Sequence, residues 1–378
     1  MNTSTAASAA GPSAASAPGR ADNRSSAHLS AKRRHTARTT IVLLSIALVV
    51  STVAAACIGA YRITPATIWA IVVHGGGSTT GDATLDQARA VLLSIRLPRV
   101  VLALLVGAGF GAAGSALQAL FRNPLADPGL IGISSGAALG AAAWIVLGPL
   151  VGLAGIVGAT GLPVAAFVGA LLVAALVYRL AATRGRVALP LLLLAGIAIN
   201  AVAGAVIGLL TYVASDAQLR SLTFWSLGSL AGAQWPTLAV LVPFVGVAIA
   251  MIARHSYALN ALQLGETEAH HLGVPTRAVK RSVLVASSLG VGALVSCTGA
   301  IGFIGLVAPH CVRLVCGPDQ RVVMPAAMLL GATLTILADL AARTVAAPAE
   351  IPLGILTALL GAPFFLMLLW RSRSTLGR

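Results

Sequence analysis

Arg96 and Arg99 bracket Leu97 and Pro98 at the mouth of a long apolar run, in "SIRLPRVVLALLVGAGFGAAGSALQAL". Three residues apart, they share one face wherever that end is helical. Pro98 suits the first turn of such a helix. A guanidinium keeps its charge at any working pH and presents a rigid fork that fits a carboxylate two-pronged. Arg343 stands at the end of another apolar run, in "ADLAART". Asp339 lies four residues before it on the same stretch and is the one acidic residue well inside an apolar run, so the two can pair. The chemistry open to the three arginines is anion recognition. They either snorkel to lipid headgroups or receive an acidic partner.

The second candidate is the segment 254–281, which contains "LNALQLGETEAHHLGVPTRAVKR" and is too polar to span a membrane. Gly265 punctuates it, and Gly273 suits the C-terminal end of a short helix. Glu266 and Glu268 fall in that helix's first turn, where its dipole favours acids. Leu264, Ala269 and Leu272 are its apolar members. The neighbouring His270 and His271 point in different directions on a helix, which makes a poor metal site. The segment reads equally as a docking helix or as a solvated loop. No GxxxxGK[ST], HExxH or GxSxG motif occurs, so the chain offers no ATP phosphate cradle, zinc-protease pair or nucleophile elbow. No catalytic residue and no metal site is assigned. Cys57, Cys297, Cys311 and Cys316 lack zinc spacing and read as small apolar residues.

The elements that must hold these residues are membrane helices. The chain has 378 residues, 58% hydrophobic and 9% charged, with a net charge of +15. Its apolar runs are continuous and about 20 residues long, which excludes the alternating strands of a barrel. They fall near 40–60, 98–120, 130–152, 160–180, 190–213, 235–254, 282–303, 304–316, 323–342 and 353–371. The fold class is therefore an all-α membrane protein of about ten transmembrane helices. Residues 1–38 are Ala/Ser/Gly/Pro-rich and are expected as a disordered cytoplasmic tail, 39–372 as the membrane domain, and 373–378 as a short cytoplasmic C-terminus. Of the 25 basic residues, Arg62, Arg89, Arg96, Arg99, Arg220 and Arg343 fall on one side and the rest on the other. The positive-inside rule then places both termini in the cytoplasm. The charge is a topology signal rather than a nucleic-acid footprint.

Two stretches break the helical pattern. "FRNPLADPGLIGISSGAALG" (121–140) carries Pro124 and Pro128, then Gly129, Gly132 and Gly136, which allow close helix approach. "TGAIGFIGLVAPH" (298–310) interrupts an apolar run with Gly299, Gly302 and Gly305. Irregular backbone at membrane depth is tolerated where it is packed in protein or lines a cavity. Together with "RLPR", "LLLAGIAINA", "FWSLGSLAGAQW", "LGETEAHHLGV", "GPDQR" and "PAEIPLGILTALLGAPFFLMLL", these stretches resemble, in order over 60–372, the FecCD-type permeases of iron–siderophore, haem and cobalamin ABC importers.

The resemblance implies a ten-helix bundle like that of the vitamin B12 importer permease, in the bacterial cytoplasmic membrane. It implies a second permease subunit, identical or closely paralogous, two cytoplasmic ATPases that carry the ATP and Mg, and an external binding lipoprotein. It places Arg96, Arg99 and Arg343 against acids of that binding protein. Leu264, Gly265, Glu266, Ala269, Leu272 and Gly273 fall in the helix that meets the ATPase. Leu125 and Leu189 fall at a cytoplasmic gate. The chain itself would hold no cofactor. An iron(III)–siderophore is the expected cargo, with haem or cobalamin as alternatives. An ion-coupled carrier is the rival class, for which a single intramembrane acid is little equipment.

Overall fold

The structure, a computed structural model, describes residues 19–59, 61–73, 82–150, 152, 158–183 and 186–376. Among the described residues seven helices are long and apolar enough to cross a membrane, and Ile133–Leu147, Ile304–Cys316 and Leu353–Met367 are shorter apolar helices. That accounts for the ten expected spans. In chain order the helices are α1 (Gly19–Cys57), α2 (Pro65–Val73), α3 (Ala83–Val91), α4 (Leu97–Phe121), α5 (Ile133–Leu147), α6 (Gly161–Ala181), α7 (Leu189–Val213) and α8 (Asp216–Leu227). They continue as α9 (Trp235–Ala253), α10 (Ser256–Leu264), α11 (Glu266–His271), α12 (Thr276–Thr298), α13 (Ile304–Cys316), α14 (Gln320–Ala342) and α15 (Leu353–Leu376). Two two-residue strands, β1 (Ala182–Thr183) and β2 (Arg186–Val187), pair antiparallel between α6 and α7.

Helix α4 is the axis of the bundle. It is buried along nearly its whole length, and α14, α13, α12 and α9 pack around it. Its sequence "GAGFGAAGSALQAL" explains why. Between membrane helices lipid-like side chains bring no hydrophobic gain, so close backbone approach decides association. A Cβ at Gly107 would collide with the Gly331 carbonyl oxygen of α14, and one at Gly331 with the Gly107 oxygen. Gly111 meets the Ala327 carbonyl in the same way, and Gly114 meets that of Gly305 on α13. The expected close approach after "NPLADP" is also present. Gly136 and Gly140 of α5 face the backbone of α6 at Gly169 and Ala165.

Helix α1 runs unbroken from Gly19 and so takes in residues 19–38 of the segment read as a tail, and residues 1–18 lie outside the described residues. Adding a turn to an existing helix avoids the nucleation cost, and the Ala and Arg content of 19–38 suits it. Pro98 stands in the first turn of α4, as its position in the sequence suggested, but the helix does not start there from a loop: residues 83–121 form one continuous helical stretch with a π turn at Leu92–Arg96. The Leu97 amide reaches back to the Leu92 carbonyl, five residues away. The next carbonyl, Leu93, would need Pro98 as its donor, and proline has no N–H. The Trp235 indole N–H donates to it instead, at 2.9 Å.

The broken-helix reading of 298–310 holds. Helix α12 stops at Thr298, Gly299 and Phe303 adopt positive φ of 71° and 67°, and α13 restarts at Ile304. The break packs against the end of α8. The Ser229 amide donates to the Thr298 carbonyl at 2.8 Å, and the Leu353 amide to the Gly228 carbonyl at 2.9 Å. By contrast, α7 leaves Leu194, Ile197, Val202, Leu209 and Tyr212 exposed, and no residue of α8 is buried.

Replacing Gly107 with valine inserts an isopropyl group where α4 and α14 touch backbone to backbone. Overpacking of this kind costs about 1–3 kcal/mol or more. A thermal shift assay in detergent should show a clear drop in melting temperature, with Gly107→Ala falling between. A valine variant as stable as wild type would contradict this packing.

Candidate functional site

The first site lies where α4, α14 and the C-terminal end of α1 converge. Arg99, on α4, donates through Nε to both Asp339 oxygens at 2.9 and 3.1 Å. Its Nη1 donates to both Glu350 oxygens at 2.9 and 3.0 Å. One guanidinium thus ties α4 to α14 and to the segment that follows α14. Arg343, the C-terminal cap of α14, stands 3.7 Å from Asp339, so the pair expected from their spacing is present. Arg343 also donates to the Ala55 carbonyl. Arg96 donates to the carbonyls of Ala56, Cys57 and Tyr61. Ala55, Ala56 and Cys57 end α1, whose last carbonyls have no partner within the helix. Two arginines supply donors there and complement the negative end of its dipole.

The structure therefore brings Arg96, Arg99 and Arg343 together, as the sequence reading required, but not as open forks on a rim. Arg96 and Arg99 are buried, the Arg343 side chain is 9% exposed, and all three spend donors on this chain. The physical reason is the cost of an unpaired charge away from water, which draws each fork to the nearest acceptors. The most accessible member is Glu350, with a side chain 45% exposed. Sequence reasoning missed Glu350. Its only signal was an acid two residues after a proline in "APAEIPLG", on the side assigned to the arginines. Three guanidiniums and two carboxylates leave the cluster with one net positive charge.

The second site is the polar segment. Helix α11 is six residues long. Gly273, at φ 78°, closes it, with the Val274 amide donating to the Ala269 carbonyl and the Gly273 amide to that of His270. This is the paired bonding of a Schellman ending. Gly265, at φ 148°, opens it in a conformation that a side chain would strain. The Lys280 ammonium, buried on α12, donates to Glu266 at 2.6 Å and to the Val187 carbonyl at 3.4 Å. One expectation is corrected here. Ala269 is fully buried against this chain and offers no surface to a partner. The exposed apolar residues are Leu264 and Leu272, with Glu268, His270 and His271 beside them. Among the described residues no group of His, Cys, Asp or Glu is placed to hold a metal.

Helix α10 fixes this segment to the bundle. Asn260 donates to Asp319 at 2.7 Å and accepts from the Gln320 amide at 2.8 Å, while Gln263 donates to the Pro318 carbonyl at 3.2 Å. Asp319 caps α14 and is held at about 2, well below the usual carboxylate range, chiefly by the hydrogen bonds from Arg321. It is charged at any physiological pH. Leu125 is half-buried in the turn after α4, where its amide donates to Asn123 at 2.9 Å. Leu189 begins α7 and packs against the main core.

A bundle of membrane-length helices that ends in a charged cluster on one side and a clamped polar helix on the other is built as a polytopic membrane protein. The FecCD transport family profile matches residues 46–371. The hemin transport system permease protein HmuU of Yersinia pestis is 45% identical over 334 residues, which cover 87% of this chain and 95% of that protein. The vitamin B12 import system permease protein BtuC of Klebsiella pneumoniae is 40% identical over 294 residues, 78% of this chain and 86% of that protein. A solved inward-facing putative metal-chelate type ABC transporter superposes with a TM-score of 0.76 at 32% identity, covering 88% of this chain and 99% of that one. The chain belongs to the FecCD transport family, and it is a multi-pass transport subunit rather than an enzyme.

Arg99→Ala would leave Asp339 buried with only the longer Arg343 contact. Breaking a buried pair from one side costs about 3–5 kcal/mol. The remaining contact places the expected loss near the lower figure. Combining it with Asp339→Asn should cost less than the two single changes added, as melting curves of the four proteins in one detergent will show. Strict additivity would mean that the pair is not coupled.

Proposed function

We propose that this chain is the permease of an ATP-driven importer of a metal chelate, with haem as the first candidate cargo. The observation that supports haem is the 45% identity to the hemin permease over 95% of that protein's length. An iron(III)–siderophore remains the second reading, supported by the metal-chelate type of the solved relative. Cobalamin is a third chelate carried by proteins this similar. In this reading the chain lies in the bacterial cytoplasmic membrane with both termini inside. It pairs with a second permease subunit through the exposed faces of α7 and α8. It binds no cofactor of its own, and two cytoplasmic ATPases carry ATP and Mg.

Movement would pass through the polar segment. Leu264 and Leu272 seat in the ATPase, Gly265 and Gly273 give the entry and exit, and Glu266 transmits to α12 through Lys280. Asn260 and Asp319 transmit to α14. Leu125 and Leu189 narrow the inner mouth, where an apolar constriction closes a pathway by excluding water.

On the outer face the arginine cluster seats an acidic lobe of the binding protein. With Arg99 already held, an incoming carboxylate competes with Glu350, the exposed and least constrained partner. Such pairs steer and orient more than they hold.

The test is reconstitution of the permease with its genomic neighbours, an ATPase and a binding lipoprotein, in vesicles offered hemin, cobalamin and a panel of ferric siderophores. ATP-dependent uptake of hemin is expected, and Gly273→Val should abolish it while the ATPase remains in the membrane. Uptake of a ferric siderophore with no hemin uptake would overturn the haem assignment.

Glu350→Gln should speed docking of the binding protein and steepen its dependence on salt, because it raises the net charge of the cluster by one. Surface plasmon resonance on nanodisc-held complex would read both. Association kinetics indifferent to this change and to salt would overturn the docking assignment.

A further inference from the structure

Between the end of α6 and the start of α12 lies a concave site of about 240 Å³, lined by Tyr178, Val187, Arg277, Ala278 and Arg281. Arg277 and Arg281 are four residues apart and therefore on one face of α12. Both are exposed, and among the described residues neither forms an ion pair. Like charges at this spacing repel. Lys280, which stands between them in sequence, is buried and already committed to Glu266 and Val187. The first turn of α12 adds its unpaired amides and its positive dipole end. Two free guanidiniums, a phenol and a helix start around one hollow match a phosphate group.

The surroundings identify which phosphate. On α12 the row Arg277, Arg281, Val285 passes from charged to apolar, and Val285 is exposed. A free anion would use the arginines and leave Val285 and the half-buried Leu289, the next residue of that row, without a partner. A phospholipid uses both, its headgroup in the hollow and an acyl chain along the apolar part of that face of α12. We propose that this hollow is a binding site for the headgroup of an anionic phospholipid, and that the headgroup braces the polar segment. Val187 lines the hollow, and its carbonyl accepts from Lys280, whose ammonium holds Glu266 at the start of α11. The headgroup thereby holds β2 and α11 together.

Native mass spectrometry of the full chain, exchanged from mixed phosphatidylglycerol and phosphatidylcholine micelles, tests the site. Wild type should retain phosphatidylglycerol. The double variant Arg277→Gln, Arg281→Gln should hold it about thirtyfold more weakly, the effect of two interfacial charges. The Lys, Lys variant keeps the charge and should retain most of the binding, with melting temperature and elution volume confirming that both variants are folded. Excess inorganic phosphate should not displace the lipid. Equal retention by the Gln variant, or no retention by wild type, would overturn the site. Displacement by inorganic phosphate would overturn the lipid assignment in favour of a free anion. Hydrogen exchange of Glu266–His271 should slow when phosphatidylglycerol is added to wild type and not to the Gln variant. Exchange indifferent to the lipid would overturn the brace.

Discussion

A guanidinium buried among membrane helices must spend its donors on the protein, because no water is there to receive them. Arg99 meets that demand with two carboxylates from different parts of the chain, Asp339 and Glu350. Much of that end of the bundle follows from it. Asp339 fixes the height of α14 against α4. Glu350 pulls the segment after α14 across the same point. Arg343, one turn beyond Asp339, is left facing the end of α1 and caps it together with Arg96. Removing Arg99 leaves Asp339 buried with only the longer Arg343 contact, and removing Asp339 leaves Arg99 buried with Glu350 alone, so this pair is the centre of the cluster.

Helix α14 carries that constraint through the bundle. At one end it is capped by Asp319 and clamped to α10 through Asn260, and at the other it holds Asp339 and Arg343. Its 23 residues span about 35 Å at the rise of an α-helix. Its middle touches α4 backbone to backbone at Gly331, where sliding would drive carbonyls into each other. A helix gripped at both ends and at its centre moves as a rod. That is a physical route by which a shift of the polar segment reaches the arginine cluster some 35 Å away by the same helical rise. The break between α12 and α13 works differently. Its Thr298 carbonyl accepts from Ser229 just after α8, and the neighbouring Gly228 carbonyl accepts from Leu353 at the start of α15, so the break and α15 meet at the end of α8, a helix with no buried residue among the described residues.

Hydropathy and small-residue spacing made the spans legible, because a membrane helix must be apolar over a length set by the bilayer. The glycines of α4 and α5 were legible for the same kind of reason, since only small residues admit backbone contact. Gly265 and Gly273 announced a short helix between them, and Asp339 with Arg343 announced a pair through their four-residue spacing. Each of these is a local property, readable along one stretch of chain.

What lay beyond the sequence required contacts across long separations. Nothing near Arg99 pointed to Glu350, 251 residues on. Nothing near Trp235 revealed that its indole would serve a carbonyl orphaned by Pro98. Ala269 and Leu272 read alike as apolar residues of one short helix, and only packing turned Ala269 inward and left Leu272 outside. The sequence by itself determined a helical membrane protein of about ten spans, their irregular breaks and the residue types gathered at each end. The tertiary structure decided which charges face each other, since the partner of a buried charge is chosen by proximity in space and its chemistry leaves no trace in local spacing.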